Sequence, residues 1–78
     1  MCTYIAETHE VSATAYAHGE WIDVKRAVVS MDHPYKVLVE HALCLDFRTD
    51  DPARRVAVEL HPDDARQLAH SILAALAS

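Results

Sequence analysis

The stretch RVAVELHPDDARQLAHSILAAL, Arg55–Leu76, decides the fold because its hydrophobic period changes at one point. Apolar residues alternate with other residues over positions 55–60, which predicts a β-strand. Beyond Pro62 they recur every three or four positions, which predicts an amphipathic helix over residues 62–77. Proline at the first helical position and aspartates in the first turn are typical of a helix start, so His61 is expected at the N-cap.

Three further strands are predicted before this segment from their β-branched and aromatic residues. The loop between the first two ends at Gly19, and the connection between the second and third contains Pro34, which cannot donate to a strand ladder. The predicted strands are residues 2–11, 21–31, 41–47 and 55–60. We therefore expect a single α+β domain over residues 1–78: a four-stranded antiparallel β-meander with one C-terminal helix packed on one face, ββββα.

The apolar content is high for so short a chain. Hydrophobic residues make up 51% of 78 residues, and a domain of this size has little interior in which to bury them. Both alternating residue sets of the predicted strand 21–31 are largely apolar, whereas an open antiparallel sheet should be polar on one face. Either a bulge exchanges the faces of this strand, or a second subunit covers the open face. We favour the second explanation and expect a homo-oligomer, most simply a homodimer.

Charge and segment length limit the partners. The net charge is -5 with only 7 Lys and Arg residues, which argues against binding to nucleic acid. No apolar run approaches the roughly 18–20 residues of a membrane helix, and the N-terminus does not have the pattern of a signal peptide. We therefore expect a cytoplasmic protein, without a membrane span, whose Cys2 and Cys44 are reduced thiols.

Histidine and cysteine residues are predicted to gather at one end of the sheet. If the second and third strands pair around the turn at Pro34, His33 and His41 lie nearly opposite each other. Antiparallel topology brings Cys2 toward His33 and His61 toward His41, although the alternation of the third and fourth strands puts His61 off the His41 face. Thiolate and imidazole are ligands for Zn²⁺, Ni²⁺ and copper, so these four residues form a candidate metal site.

Other interpretations of the same residues remain open. The histidines are equally consistent with ordinary turn and cap positions, or with a site for a small-molecule ligand. A second function is protein interaction, in which the apolar open sheet face binds a protein partner. A third is a small acid–base enzyme, because Glu7 and His9 alternate to one face and, with His41, would line a pocket formed by an oligomer.

Four segments also resemble a known group of sequences: CTYIAETHEV at residues 2–11, DHP at 32–34, EHALCLDF at 40–47 and RVAVEL at 55–60. They resemble a family of small uncharacterised actinobacterial proteins, and the resemblance extends over nearly the whole chain. It implies a bacterial cytosolic protein that is an accessory to a biosynthetic or metabolic locus. The resemblance brings no reaction with it, so it assigns no role to any residue.

Overall fold

The computed structural model describes residues 5–78 of the chain and has the predicted ββββα architecture. The four strands form one antiparallel sheet in the order β1-β2-β3-β4. The elements are β1 (Ile5–Ala17), β2 (Glu20–Asp32), β3 (Ala42–Arg48), β4 (Arg55–Leu60) and α1 (Pro62–Leu76). The α+β class is confirmed, with the helix following the last strand of the meander.

The first strand is longer than the sequence pattern predicts. Residues 12–17, expected in a loop, continue β1 up to a two-residue turn made of His18 and Gly19. Both turn residues have positive φ, 55° for His18 and 79° for Gly19, as a type I′ hairpin turn requires. The prediction was wrong here because a run of Ser, Ala and Thr resembles a loop in composition, whereas pairing with β2 holds it extended.

The sheet contains a bulge, but it lies in β1 and does not exchange the faces of β2. The register between the two strands shifts between Glu10 and Ala13, so that one extra residue lies on β1 while β2 alternates without interruption. Near the turn, Ile22 and Val24 are buried on one face of β2. The other alternating set of β2 faces the helix. The two apolar sets of β2 are therefore covered by different parts of the chain.

Cross-strand pairing places one continuous apolar surface on the helix side of the sheet. Directly paired residues share a face, so the register joins residues of β2, β3 and β4 in rows. These residues are Ala27, Val29, Met31, Leu43, Leu45, Phe47, Val56, Val58 and Leu60. The helix α1 lies over only part of this surface. An apolar groove of about 530 Å³ remains between α1 and the sheet.

The opposite face of the sheet is covered by loops. The β2–β3 loop, residues 33–41, is anchored to Glu59 of β4, and Ala42 beneath it is completely buried. The β3–β4 turn is tied to the end of the first hairpin by an ion pair between Arg54 and Glu20. On the same face, the half-buried carboxylate of Asp46 forms ion pairs with Arg48 and Arg55, which are directly paired across β3 and β4.

Most of the exposed apolar side chains of the strands and the helix therefore lie on the helix side of the sheet, whereas the sequence suggested the opposite face. Among the strand residues whose exposure is described, every large exposed hydrophobic side chain lies on the helix-side face. These strand residues are Tyr16, Trp21 and Val58, and the exposed residues of α1 are Leu68, Ile72, Leu73 and Leu76. Two other exposed residues, Tyr35 and Leu38, lie in the β2–β3 loop. Within residues 5–78, no helix is long and apolar enough to cross a membrane.

Candidate functional site

The end of the β2–β3 ladder positions the two histidines predicted to face each other. The last ladder pair joins Asp32 to Ala42, so His33 and His41 are the first residues beyond it on either side. Pro34 ends the ladder directly after His33 because it has no N–H to donate. The two imidazole rings therefore start from adjacent backbone positions at the same end of the sheet.

The His33 and His41 rings approach each other through their outer nitrogens. The two Nε2 atoms lie 3.0 Å apart, whereas the ring centroids are 4.7 Å apart and the ring planes differ by 28°. His33 is exposed and His41 is half-buried, so the pair is open to solvent from one side. When both rings are neutral, one Nε2 can donate a hydrogen bond to the other. Protonation of both rings would place two donors against each other.

Two carboxylates hold the loop that carries this pair. An Asp32 side-chain oxygen accepts the backbone N–H of His33 at 2.7 Å. The Glu59 carboxylate accepts the backbone N–H groups of Tyr35 at 2.6 Å, Lys36 at 2.9 Å and Val37 at 3.2 Å. The N–H donors of Tyr35 and then of Lys36 hold the pKa of Glu59 below its ordinary value, because they stabilise the ionised carboxylate.

Cys44 lies on the loop-covered face of β3, next to Ser30 in the ladder. Burial raises the pKa of the Cys44 thiol above its ordinary value, and the nearby carboxylates of Glu59 and Asp32 raise it further. Burial and these carboxylates thus favour the neutral form of the Cys44 thiol. Cys44 is half-buried on this face.

The remaining predicted metal ligands do not join the histidine pair within the described part of the chain. His61 is the N-cap of α1, as predicted, but its side chain makes no capping hydrogen bond. Cys2 lies outside the described residues. Among residues 5–78, no group of three or more His, Cys, Asp or Glu side chains is placed to share one metal ion. The structure thus brings together two of the four predicted ligands, His33 and His41.

Comparison with known sequences places the chain in a family. The profile of a family of unknown function, DUF6295, matches residues 1–78. The chain belongs to the DUF6295 family. No curated protein and no solved structure matches the chain. Membership of DUF6295 extends over every residue discussed above, and it assigns no activity to any of them.

In this DUF6295 chain, the predicted acid–base pair lies away from the histidine pair. Glu7 pairs with Val29 and His9 pairs with Ala27, so both lie on the helix-side face of the edge strand β1, and both are exposed. Val29 is four residues before His33, which is about 13 Å along an extended strand. Within one chain, Glu7 and His9 are therefore not neighbours of His41, and the pocket between subunits stays a prediction.

Glu59 is the residue of this site that the sequence pattern did not identify. It lies between Val58 and Leu60 in an alternating strand, where a glutamate is usually a solvated residue of the polar face. One signal was present: β4 places Glu59 opposite Cys44, on the face over which the β2–β3 loop must pass. A loop of nine residues without regular structure needs acceptors for its N–H groups.

The distance between the two imidazole nitrogens suits a shared metal ion. Nitrogens bound to one Zn²⁺ at about 2.0–2.1 Å are separated by about 2.9–3.4 Å for bond angles of about 90–110°. The observed separation of His33 Nε2 and His41 Nε2 is 3.0 Å, within this range. The carboxylate of Asp32 accepts a hydrogen bond from the His33 backbone N–H and so holds the backbone of His33 in place.

Proposed function

We propose that the chain binds a transition metal ion, Zn²⁺, Ni²⁺ or Cu²⁺, through Nε2 of His33 and Nε2 of His41. The observation that carries the proposal is the 3.0 Å separation of these two nitrogens at the end of one ladder. The anchoring of the loop supports it further, because a ligand pair held before the metal arrives loses less conformational entropy on binding. The chemistry is that of a borderline cation with imidazole ligands.

Two imidazoles leave at least two coordination positions for other ligands. Water can fill them, and Cys2 remains the predicted thiolate ligand from this chain. A cytoplasmic location belongs to the same proposal, because a reducing compartment keeps Cys2 available as a thiol. With two histidines and water the site would hold the metal less tightly than a four-ligand structural zinc site does.

The test is a titration of protein freed of metal with a chelator and then exchanged into a non-coordinating buffer. Isothermal titration calorimetry with Zn²⁺, Ni²⁺ and Cu²⁺ in turn should give one site per chain. Removing a residue that hydrogen-bonds to a metal ligand lowers the affinity for the metal by about 10–100-fold, and removing the ligand itself should cost at least as much. His33→Ala and His41→Ala should therefore each weaken binding by at least tenfold, and Cys2→Ser tests the thiolate.

The matched control is His70→Ala, which removes an exposed histidine from the helix. It should leave the affinity unchanged. If none of the three ions binds the wild-type chain, or if His70→Ala weakens binding as much as His33→Ala does, the proposal is wrong and the two rings are a hydrogen-bonded pair only.

A further inference from the structure

The single chain exposes more surface than a monomer of its mass should. Its accessible surface is 6010 Å², whereas a folded monomeric protein of 8.7 kDa exposes about 4,700 Å². The radius of gyration is 13.3 Å, compared with about 11.5 Å for a compact domain of 78 residues. About 1,300 Å² of surface per chain is therefore in excess.

The excess includes an apolar surface formed by the helix and the sheet. The groove between α1 and the sheet is lined mainly by aliphatic side chains, among them Leu43, Leu45 and Leu60. No residue of α1 is buried, and the exposed fraction of its apolar side chains rises toward the C-terminus, from 45% at Leu68 to 78% at Leu76. The last two turns of the helix thus present leucines to solvent.

The chain carries both halves of a complementary contact. An apolar groove accepts an amphipathic helix by its apolar stripe, and α1 has such a stripe with its C-terminal half uncovered. A two-fold axis requires that donor and acceptor surfaces occur on the same chain. We propose that a second copy of this chain covers the groove, with the C-terminal half of each α1 packing on the helix-side face of the other copy.

The size of the excess surface supports a second copy as the occupant. If a second copy covered the whole excess of about 1,300 Å² on each chain, about 2,600 Å² would be buried in total, which lies in the range of about 2,000–5,000 Å² for obligate homodimers. A weak or transient partner would need less than half of this area. The inference goes beyond the metal proposal and does not rest on it.

Sedimentation equilibrium with EDTA present tests the proposal. The wild-type chain should have twice its 8.7 kDa mass at micromolar concentration. Leu76→Glu places a charge at the most exposed leucine of the stripe and should raise the dimer dissociation constant by at least about 30-fold. Ala74→Glu adds the same charge in the same turn, on the far side of the helix, and should leave the dimer intact.

Three results would overturn the proposal. A wild-type mass of 8.7 kDa from 10 µM to 1 mM would mean that the chain is a monomer and that a second copy does not cover the groove. Equal dissociation constants for Leu76→Glu and Ala74→Glu would place the interface elsewhere. A dimer that dissociates in EDTA would be joined by metal, whereas the groove contact persists in EDTA and in His33→Ala.

Circular dichroism distinguishes loss of the dimer from loss of the fold. In one chain Leu76 is 78% exposed, so its replacement removes few intrachain contacts. If Leu76→Glu unfolds while Ala74→Glu stays folded and dimeric, the folded chain depends on a surface that only a second copy covers, which supports the proposal.

Discussion

At the scale of single residues, Glu59 connects the last strand to the loop of the histidine pair. One carboxylate accepts three consecutive backbone N–H groups, those of Tyr35, Lys36 and Val37. A charged acceptor forms stronger hydrogen bonds than a neutral one, and it loses this advantage on protonation. Attachment of the β2–β3 loop should therefore depend on pH.

The pH dependence follows from the lowered pKa of Glu59 in the folded chain. A carboxyl group whose folded-state pKa is depressed stabilises the fold fully above its unfolded pKa, about 4.5. This stabilisation is lost as the pH falls below 4.5 through the folded-state value. The difference in free energy of unfolding between wild type and Glu59→Gln should thus be largest above pH 5 and shrink in acid.

Urea unfolding at pH 3–7 measures this difference, and amide exchange of residues 35–37 reports on the loop itself. Glu10→Gln is the matched control, because Glu10 is an exposed strand carboxylate that accepts no hydrogen bond within residues 5–78. Equal pH profiles for the two variants would mean that Glu59 does not anchor the loop.

The histidine pair could be predicted from the sequence and its anchor could not. Pro34 limits the ladder, and antiparallel pairing then places His33 and His41 opposite each other. The role of Glu59 depends on the path of an irregular loop across the sheet, which no periodicity encodes. The sequence pattern can predict which residues face each other across paired strands, whereas it cannot predict which residues contact an irregular loop.

At the scale of elements, the first hairpin depends on its two-residue turn. Gly19 has φ of 79°, and a Cβ added there would meet nothing within 4 Å. The cost of Gly19→Ala is therefore conformational and should be about 1–2 kcal/mol. His18→Asn should stabilise the hairpin, since asparagine tolerates the left-handed region better. Thermal unfolding of both variants tests the turn, and an unchanged melting temperature for Gly19→Ala would contradict it.

The bulge in β1 explains why the length of this strand was underestimated. Period-two alternation is interrupted between Glu10 and Ala13, so the second half of β1 is out of phase with the first. Its residues on the face of Ile22 and Val24 are Ala13 and Ala15, whose side chains are too small to give a clear hydrophobic signal. The strand was therefore divided in the prediction at the position where its register shifts.

At the scale of the whole molecule, the order of the strands and the helix could be predicted from the sequence, whereas the surface that packs on the apolar face of the sheet could not. Periodicity placed β4 and α1 at almost their observed bounds. The same pattern gives the side of the helix that is apolar, and it does not say which copy of the sheet that side contacts. The groove between α1 and its own sheet depends on how the helix packs in three dimensions, which the hydrophobic pattern does not specify.

A dimer of the proposed kind makes thermal stability depend on concentration. Each chain gains folded-state stability from its partner by mass action, so a 100-fold increase in protein concentration is equivalent to about 2.7 kcal/mol. For a dimer of this size the melting temperature should rise by about 5–10 °C. Scanning calorimetry at 10 µM and 1 mM measures the shift. A constant melting temperature would indicate a chain that folds alone.

The contact between Glu59 and the loop also sets an order of events during synthesis. His33 and His41 leave the ribosome before the strand that carries their anchor, because the chain is made from its N-terminus. Until β4 adds to the sheet, the loop has no acceptor for the amides of residues 35–37. A chain arrested before residue 59 should therefore carry both histidines at the end of the β2–β3 ladder with an unanchored loop between them, and anchoring of the loop would mark the completion of the sheet.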